Sequence, residues 1–223
     1  MKKKAILSWS GGKDSALALY EIQKNQGYEI ISLLTTFTKD YDRVSLHGTR
    51  RILLERQAES IGLPLHKIFI PKKASSEEYE QKMKKSLVKF QESGVSEVIF
   101  GDIFLEDLRK FREEKLSQVG MRAAFPIWKK DTRKLAHQFV ELGFKAIVTC
   151  VDTKILAKKF AGRTIDEQLL AELPPAVDSC GENGEFHSFV FEGPIFRETI
   201  PYKPGKAVLR ENRFFYFDLI YES

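Results

Sequence analysis

Residues 8–15 read Ser-Trp-Ser-Gly-Gly-Lys-Asp-Ser and lie between a short apolar run at 5–7 and a helical pattern that begins at Asp14. A strand, a glycine turn and a helix in this order bring consecutive backbone N–H groups together, where they can converge on an anion. The helix adds the positive end of its dipole. This stretch therefore predicts a phosphate-binding loop at the end of the first strand.

The side chains of the loop favour this interpretation over a plain glycine turn. Ser10 and Ser15 can donate hydroxyl groups, and Lys13 can supply a cation. Asp14 can either cap the helix or help to hold a magnesium ion, and the sequence does not separate the two roles. The loop is not a Walker loop, because Leu7 stands where that pattern needs its first glycine and Lys13 is not followed by Ser or Thr. No third glycine follows at the spacing of the dinucleotide fingerprint.

The alternation of strand and helix continues along the chain beyond this loop. Apolar strands alternate with helices over the first two thirds, with strands predicted at 5–7, 30–34, 65–70 and 98–100 and helices at 14–26, 49–61, 76–93 and 105–119. Strands that are apolar throughout and alternate with helices indicate an α/β fold with a parallel sheet covered on both faces.

The pattern changes after about residue 127. A helix is predicted at 131–142 and a strand at 146–151, and two strand-like tracts follow residue 173, the second at 214–221. We therefore expect a domain that carries the phosphate-binding loop at 1–128 and a smaller α+β lobe at 129–223.

Ligands of open parallel sheets bind beyond the carboxyl ends of the strands. Thr36 or Phe37, near the end of the second strand, could contact adenine, and Gly101 before Asp102 would allow close approach of the nucleotide. The alternative is that Gly101 and Asp102 only turn the chain. His47, before the second helix, is a candidate for substrate contact, although a single histidine is more often a surface or capping residue.

Residues 180–188, Cys-Gly-Glu-Asn-Gly-Glu-Phe-His-Ser, form the second informative stretch. Its glycines permit a tight loop, and Glu182 and Glu185 could hold a cationic group or a metal. Taken alone, the stretch reads as a polar turn before a strand at 189–191.

The loop at 10–15 resembles the S-G-G-x-D-S motif of the ATP pyrophosphatase family. Together with residues 180–188, the chain resembles the diphthine–ammonia ligase branch of that family, whose E-G-G-E-type motif corresponds to Glu182, Gly184 and Glu185. In this chain Asn183 replaces the first glycine of that motif, while both acids of the motif are present. Further matches are Ser-Leu-His-Gly at 45–48, Phe-Gly-Asp-Ile at 100–103 and Pro-Ile-Trp at 126–128.

The resemblance implies a nucleotide-binding domain of the HUP-like, adenine nucleotide alpha hydrolase-like type and a C-terminal substrate lobe. It implies amidation of diphthine on translation elongation factor 2 with ATP, Mg²⁺ and ammonium, through an acyl-adenylate. The implied catalytic residues are Lys13, Asp14, Glu182 and Glu185, with Asp14 on the metal. The implied ATP-binding residues are Ser8, Ser10, Gly11, Gly12, Lys13, Asp14, Ser15, Thr36, Phe37, Gly101 and Asp102. The implied substrate-binding residues are His47, Gly48, Glu106, Arg109, Glu182, Gly184, Glu185 and His187.

Composition limits the partners. A net charge of +5 permits an acidic partner without requiring one, and no nucleic acid is expected. The two cysteines form no C-x-x-C pair, which argues against a zinc ribbon and favours a reducing, cytoplasmic setting. No apolar stretch is long enough to span a bilayer, so no membrane partner is expected. A homodimer is allowed.

Two other functions stay open at this point. One is another chemistry of the same family, such as transfer RNA thiolation or lysidine formation, although thiolation usually needs a catalytic cysteine pair. The other is a nucleotide-binding sensor without catalysis, which would leave residues 180–188 without a purpose.

Overall fold

The computed structural model describes residues 2–45 and 47–222. The N-terminal part alternates strands and helices, as the sequence predicts. Its strands are β1 (Lys3–Ser8), β2 (Tyr28–Thr38), β3 (Arg43–Val44), β4 (Leu65–Ile70), β5 (Glu97–Ile99) and β6 (Arg122–Ala124). Its helices are α1 (Lys13–Lys24), α2 (Arg51–Ile61), α3 (Ser76–Glu92) and α4 (Glu106–Ser117). Strand β2 is longer than predicted, because the threonines and Phe37 that follow the apolar run continue it.

The first sheet is mostly parallel, which confirms the predicted α/β fold. Its parallel strands stand in the order β4-β2-β1-β5-β6, and the short β3 pairs antiparallel with the end of β2, where Val44 faces Phe37. The direction of winding reverses between β1 and β5. In such sheets the crevice at this reversal, beyond the carboxyl ends of the strands, is where ligands bind. The loop at 9–12 and the Gly101 turn both leave the sheet there.

The C-terminal lobe contains a separate antiparallel sheet. Its elements are α5 (Thr132–Glu141), β7 (Lys145–Asp152), a 3₁₀ turn (Lys158–Phe160), α6 (Glu167–Glu172), β8 (Phe186–Glu192), β9 (Tyr202–Arg210) and β10 (Phe214–Tyr221). The strand order is β8-β7-β10-β9. The prediction of two strand-like tracts after residue 173 was wrong, because β9 is a third. Pro204 and Gly205 interrupt the strand pattern of β9 in the sequence. The sheet tolerates this proline because β9 is an edge strand.

Buried side chains lie on both faces of the parallel sheet. On one face, Ile6, Leu34 and Leu87 belong to a cluster under α3 and α4. On the other face, one continuous cluster runs from Trp9 through α1 and α2 to Phe189 in β8. The two lobes thus share a core, and β8 is pressed against the loop at 9–12. The predicted division at 128/129 stays a prediction.

Candidate active site

The turn at residues 9–12 joins β1 to α1, and Gly12 occupies the N-cap position of the helix. Gly11 has φ +78°, a left-handed conformation that side chains other than glycine rarely adopt. A Cβ on Gly11 would lie 2.7 Å from Oε1 of Gln57, and a Cβ on Gly12 would lie 3.0 Å from the carbonyl oxygen of Ser188. Both glycines are therefore needed because other parts of the chain pack directly on the loop backbone.

Serine hydroxyls bind the N–H groups of the loop. The N–H of Gly12 donates to Oγ of Ser10 at 3.3 Å, and Oγ of Ser15 donates to the carbonyl of Gly12 at 2.9 Å. The N–H of Lys13 donates to Oγ of Ser188 at 3.2 Å. Hydroxyl oxygens thus accept hydrogen bonds at the start of α1. This is the place where the dipole and the N–H groups of a helix favour a phosphate oxygen.

Lys13 is buried in the first turn of α1, with its side chain 3% exposed. Its Nζ donates to both carboxylate oxygens of Asp14 at 2.9 Å and to the carbonyl oxygen of Cys180. Burial by itself would lower the pKa of Lys13, but Asp14, Cys180 and Glu182 together outweigh it, so the pKa is raised. Lys13 is therefore a fixed cation held between the loop and the C-terminal lobe.

Asp14 does not cap α1 with its side chain, since the N-cap residue is Gly12 and no side chain caps it. Its carboxylate contacts Lys13 and remains 29% exposed, which leaves room for a second partner. The described residues contain no group of three His, Cys, Asp or Glu side chains that could hold a metal. Mg²⁺ needs only one or two carboxylates when phosphates complete its shell, so Asp14 fits the predicted metal role.

The two acids of residues 180–188 have different surroundings. Oε1 of Glu182 accepts from the N–H of Ile103 at 2.7 Å, and burial raises the pKa of Glu182 to about 7. Glu185 is only 2% exposed, and its Oε1 accepts from the N–H of Asp178 and from Nδ2 of Asn183. Glu182 thus ties this segment to the turn after β5, whereas Glu185 holds the segment's own loop together.

Asn183 and Gly184 both serve this loop. Asn183, which replaces a glycine of the family motif, donates to Glu185 at 3.0 Å, so the replacement adds a hydrogen bond within the loop. Gly184 has φ +86° and no atom within 4 Å of a built Cβ, so its backbone conformation, not crowding, favours glycine. The predicted substrate contact of Gly184 stays a prediction.

Two histidines meet where the lobes join. The ring centroids of His47 and His187 are 4.3 Å apart. Burial lowers the pKa of His47 well below its usual value and that of His187 to about 4, and the charge of Lys13 adds to both shifts. Both rings are therefore neutral at pH 7. Gly48, which follows His47, has no room for a side chain, because a Cβ would lie 2.7 Å from the ring of Tyr216. Leu46 of the predicted motif at 45–48 lies outside the described residues.

The two residues predicted to contact adenine lie on opposite faces of β2. Thr36 lines a large cavity beside the loop. Phe37 is fully buried in the core on the opposite face of β2, so its side chain is not available to a nucleotide and that prediction was wrong. The alternation of side chains along a strand is the reason, because neighbours point to opposite faces.

Gly101 and Asp102 have structural partners. A Cβ on Gly101 would lie 2.7 Å from the carbonyl carbon of Asp14, so this glycine allows the end of β5 to pack against α1. Asp102 forms an ion pair with Arg112 at 2.8 Å. The structure thus gives Gly101 a packing role, while nucleotide contact by either residue stays a prediction.

Glu106 and Arg109 lie on the exposed first turns of α4. Glu106 is 64% exposed and lies 3.5 Å from Nζ of Lys129. Arg109 pairs with Glu113 at 2.8 Å, and its guanidinium group lies over the ring of Trp128. Among the described residues no hydrogen bond or ion pair joins either side chain to residues 10–15. Their predicted substrate contacts therefore depend on a ligand that extends to α4.

One cavity of about 1680 Å³ adjoins the loop and is lined by both lobes. Small-molecule sites usually measure about 300–1,000 Å³. Its walls include Ser8, Ser10, Thr36, His47 and, from the C-terminal sheet, Tyr216. The cavity has room for a nucleotide and for part of a second substrate.

Gln57 was not among the residues predicted for the site. This side chain is fully buried: its Oε1 accepts from Nε1 of Trp9 at 2.9 Å, and its Nε2 donates to the carbonyls of Gly11 and Val190. It therefore joins the loop to β8. The available signal was an amide on the apolar face of a helix, since Gln57 stands between Leu54 and Ala58. Ser188 was also missed as a contact of the loop.

Two family models cover most of the chain. The diphthamide synthase N-terminal domain matches residues 2–123, and the diphthamide synthase C-terminal domain matches residues 131–218. The chain belongs to the diphthamide synthase family. This match confirms the resemblance that residues 10–15 and 180–188 carry.

Relatives of low sequence identity carry names that agree with this family. The chain is 24% identical over 212 residues to the diphthine–ammonia ligase of Schizosaccharomyces pombe, covering 86% of this chain and 34% of that protein. It is 25% identical over 228 residues to the Danio rerio diphthine–ammonia ligase, covering 91% and 88%. For the Homo sapiens diphthine–ammonia ligase the identity is 22% over 223 residues, covering 90% and 83%. This chain thus spans about a third of the S. pombe protein and most of the two vertebrate proteins. In the described part of the chain, no helix is both long and apolar enough to cross a membrane.

Proposed function

We propose that this chain amidates the carboxylate of diphthine on translation elongation factor 2, consuming ATP and ammonium and releasing AMP and pyrophosphate. The observation that carries the proposal is the start of α1. There a buried, protonated Lys13 follows a glycine turn, and Ser8 and Ser10 beside this turn line a cavity formed by both lobes. The names of the relatives supply the substrate class.

In the first step, a carboxylate oxygen of diphthine attacks the α-phosphorus of ATP. The bond between that phosphorus and the α–β bridging oxygen breaks, which gives an acyl-adenylate and pyrophosphate. Negative charge grows on the departing pyrophosphate, so groups that favour an anion at the loop lower the barrier. We assign this work to the side chain of Lys13 and to the N–H groups in the first turn of α1 that follow it. Mg²⁺ on Asp14 would supply further neutralising charge.

In the second step, ammonia attacks the acyl carbon. The bond between this carbon and the AMP oxygen breaks, and AMP leaves as the carboxamide forms and a proton is released. Diphthine carries a trimethylammonium group, which an acid near the cavity would attract. Glu182 is our candidate for that contact, because Glu185 is 2% exposed and its Oε1 is used within its own loop.

Product analysis tests this proposal. The purified chain is incubated with ATP, ammonium and diphthine-bearing elongation factor, and mass spectrometry follows the nucleotide and the modified residue. We expect AMP together with conversion of the carboxylate to a carboxamide. ADP as the nucleotide product would exclude adenylylation. Absence of pyrophosphate release under every condition would instead favour a nucleotide sensor.

A further inference from the structure

Three residues that line the cavity each carry a buried polar atom without a hydrogen-bond partner among the described residues. The atoms are Nδ1 of His47, Oγ1 of Thr49 and Oγ1 of Thr149. The two threonines are 4% and 3% exposed, respectively. A buried polar group without a partner costs roughly 1–3 kcal/mol, so native proteins leave few of them. Three such atoms along one cavity indicate a binding site for a polar ligand.

The fold brings these atoms to the same junction from both lobes. The pairing of β7 with β8 shifts register between Val148, opposite Ser188, and Cys150, opposite His187, so Thr149 sits in a bulge. Bulges commonly redirect a side chain beside an active site. The ring of His187 lies against that of His47. The turn that carries His47 and Thr49 therefore lies next to the bulge that carries Thr149.

The phosphate loop is adjacent to this group. Ser188, which is paired with Val148 in the sheet, accepts a hydrogen bond from the N–H of Lys13. A ligand held by the three atoms would consequently lie near the start of α1, where the proposed function forms its acyl-adenylate.

We propose that His47, Thr49 and Thr149 bind the ammonia molecule that attacks the acyl-adenylate. Ammonia has three N–H donors and one lone pair. The imidazole nitrogen and the two hydroxyl oxygens can accept its three hydrogens, which leaves the lone pair free for the acyl carbon. This inference rests on the proposed function and deepens it by giving the nitrogen donor a site.

The electrostatics of the junction favour neutral ammonia over ammonium. Burial and the charge of Lys13 lower the pKa of both histidines, which keeps His47 neutral and able to accept. The same positive charge opposes a second cation nearby. Ammonium arriving from solvent therefore loses its proton to water through the open cavity before it reacts, and neutral ammonia occupies the site.

Kinetics of threonine variants test the site. Thr49→Val and Thr149→Val remove one hydroxyl each while keeping the size of the side chain, and Thr149→Ser keeps the hydroxyl. The matched control is Thr199→Val, whose hydroxyl contacts Glu192 outside the cavity. Two reactions are measured: amidation of diphthine-bearing factor against ammonium concentration, and factor-dependent exchange of pyrophosphate into ATP without ammonium.

We expect the valine variants to raise the KM for ammonium roughly three- to tenfold, as the loss of one hydrogen bond predicts. Thr149→Ser and Thr199→Val should stay near the wild type, and the KM for ATP in the exchange reaction should not rise. An unchanged KM for ammonium, or a raised KM for ATP instead, would overturn the ammonia site while leaving amidation intact. A wild-type chain that neither exchanges pyrophosphate nor forms AMP would refute the proposed function itself, and the ammonia site with it.

Discussion

The phosphate loop and the segment at residues 180–188 meet at the start of α1, but they are built differently. The loop combines internal bonds, in which Ser10 and Ser15 bind the backbone of Gly12, with bonds to Gln57 and Ser188 outside it. The segment reaches to distant parts of the chain: Glu182 binds the N–H of Ile103, and the carbonyl of Cys180 accepts from Lys13.

This difference separates two properties of the site. In our proposal the loop provides N–H groups for an anion, as a glycine turn before a helix does in many proteins. The segment determines the environment of Lys13, because it covers the side chain and adds a carbonyl acceptor. An anion site that is made by one segment and enclosed by another can be weakened from either side.

Removal of the lysine charge should have the largest effect. Lys13→Met keeps the length of the side chain but removes the cation that we propose stabilises the departing pyrophosphate. We expect the proposed AMP-forming rate to fall by roughly 10²–10³-fold, as when a charge-stabilising group is lost from an active site. The measurement is AMP formation at saturating ATP. Lys24→Met, at the exposed end of the same helix, is the matched control, and equal losses in both variants would argue against a special role of Lys13.

Displacement of the loop should have the next largest effect. Gly101→Ala puts a Cβ 2.7 Å from the carbonyl carbon of Asp14, so α1 must move relative to β5. Misplacement of catalytic groups by about 1 Å can cost on the order of 100-fold in rate. AMP formation and thermal unfolding are measured together, with Gly27→Ala as the control, because its nearest neighbour is the end of the Asn25 side chain at 3.2 Å. A Gly101→Ala variant with wild-type activity would show that the spacing of β5 and α1 is unimportant.

Loss of the link that Gln57 makes between the loop and β8 should have an intermediate effect. Gln57→Met is similar in size but leaves the carbonyls of Gly11 and Val190 and the indole N–H of Trp9 with fewer partners. We expect a loss of roughly 2–4 kcal/mol in the free energy of unfolding and about a tenfold rise in the KM for ATP. Urea unfolding and steady-state kinetics measure these, and the exposed Gln168→Met is the control. A stability loss without any change in the KM for ATP would mean that Gln57 supports only the core.

The sequence was informative where structure depends on neighbours along the chain. The apolar runs and glycine turns predicted the order of strands and helices in the first domain, and residues 10–15 predicted where the loop would form. Contacts between distant residues were not predictable in this way. Gln57 binds Val190, and Ser188 binds Lys13, across 133 and 175 positions, respectively.

Two errors have different physical causes. Strand β9 was not predicted because Pro204 and Gly205 interrupt its pattern, although an edge strand tolerates both. Phe37 was misassigned because alternation along a strand gives the two faces but not which face meets the ligand. The bulge at Thr149 depends on the register of β7 with β8, which no local pattern specifies.

An ion pair in the C-terminal sheet should show the smallest effect on activity and a clear dependence on pH. Asp152 is 1% exposed and accepts from Nε and Nη2 of Arg213, and its backbone N–H donates to the carbonyl of Glu185. Arg213 lowers the pKa of Asp152 below its usual value of 3.8. Asp152→Asn should therefore cost roughly 2 kcal/mol in the free energy of unfolding at pH 7, with little change in ATP kinetics.

The sign of the pH dependence follows from the direction of this shift. A carboxylate with a lowered pKa in the folded chain stabilises the fold above its unfolded pKa, and this stability is lost as the pH falls through the folded pKa. The difference in the free energy of unfolding between wild type and Asp152→Asn should thus be constant at neutral pH and shrink below about pH 4. Urea unfolding across that range measures it, with the exposed Asp107→Asn as control. A difference that persists unchanged in acid would mean that Asp152 acts through shape and not charge.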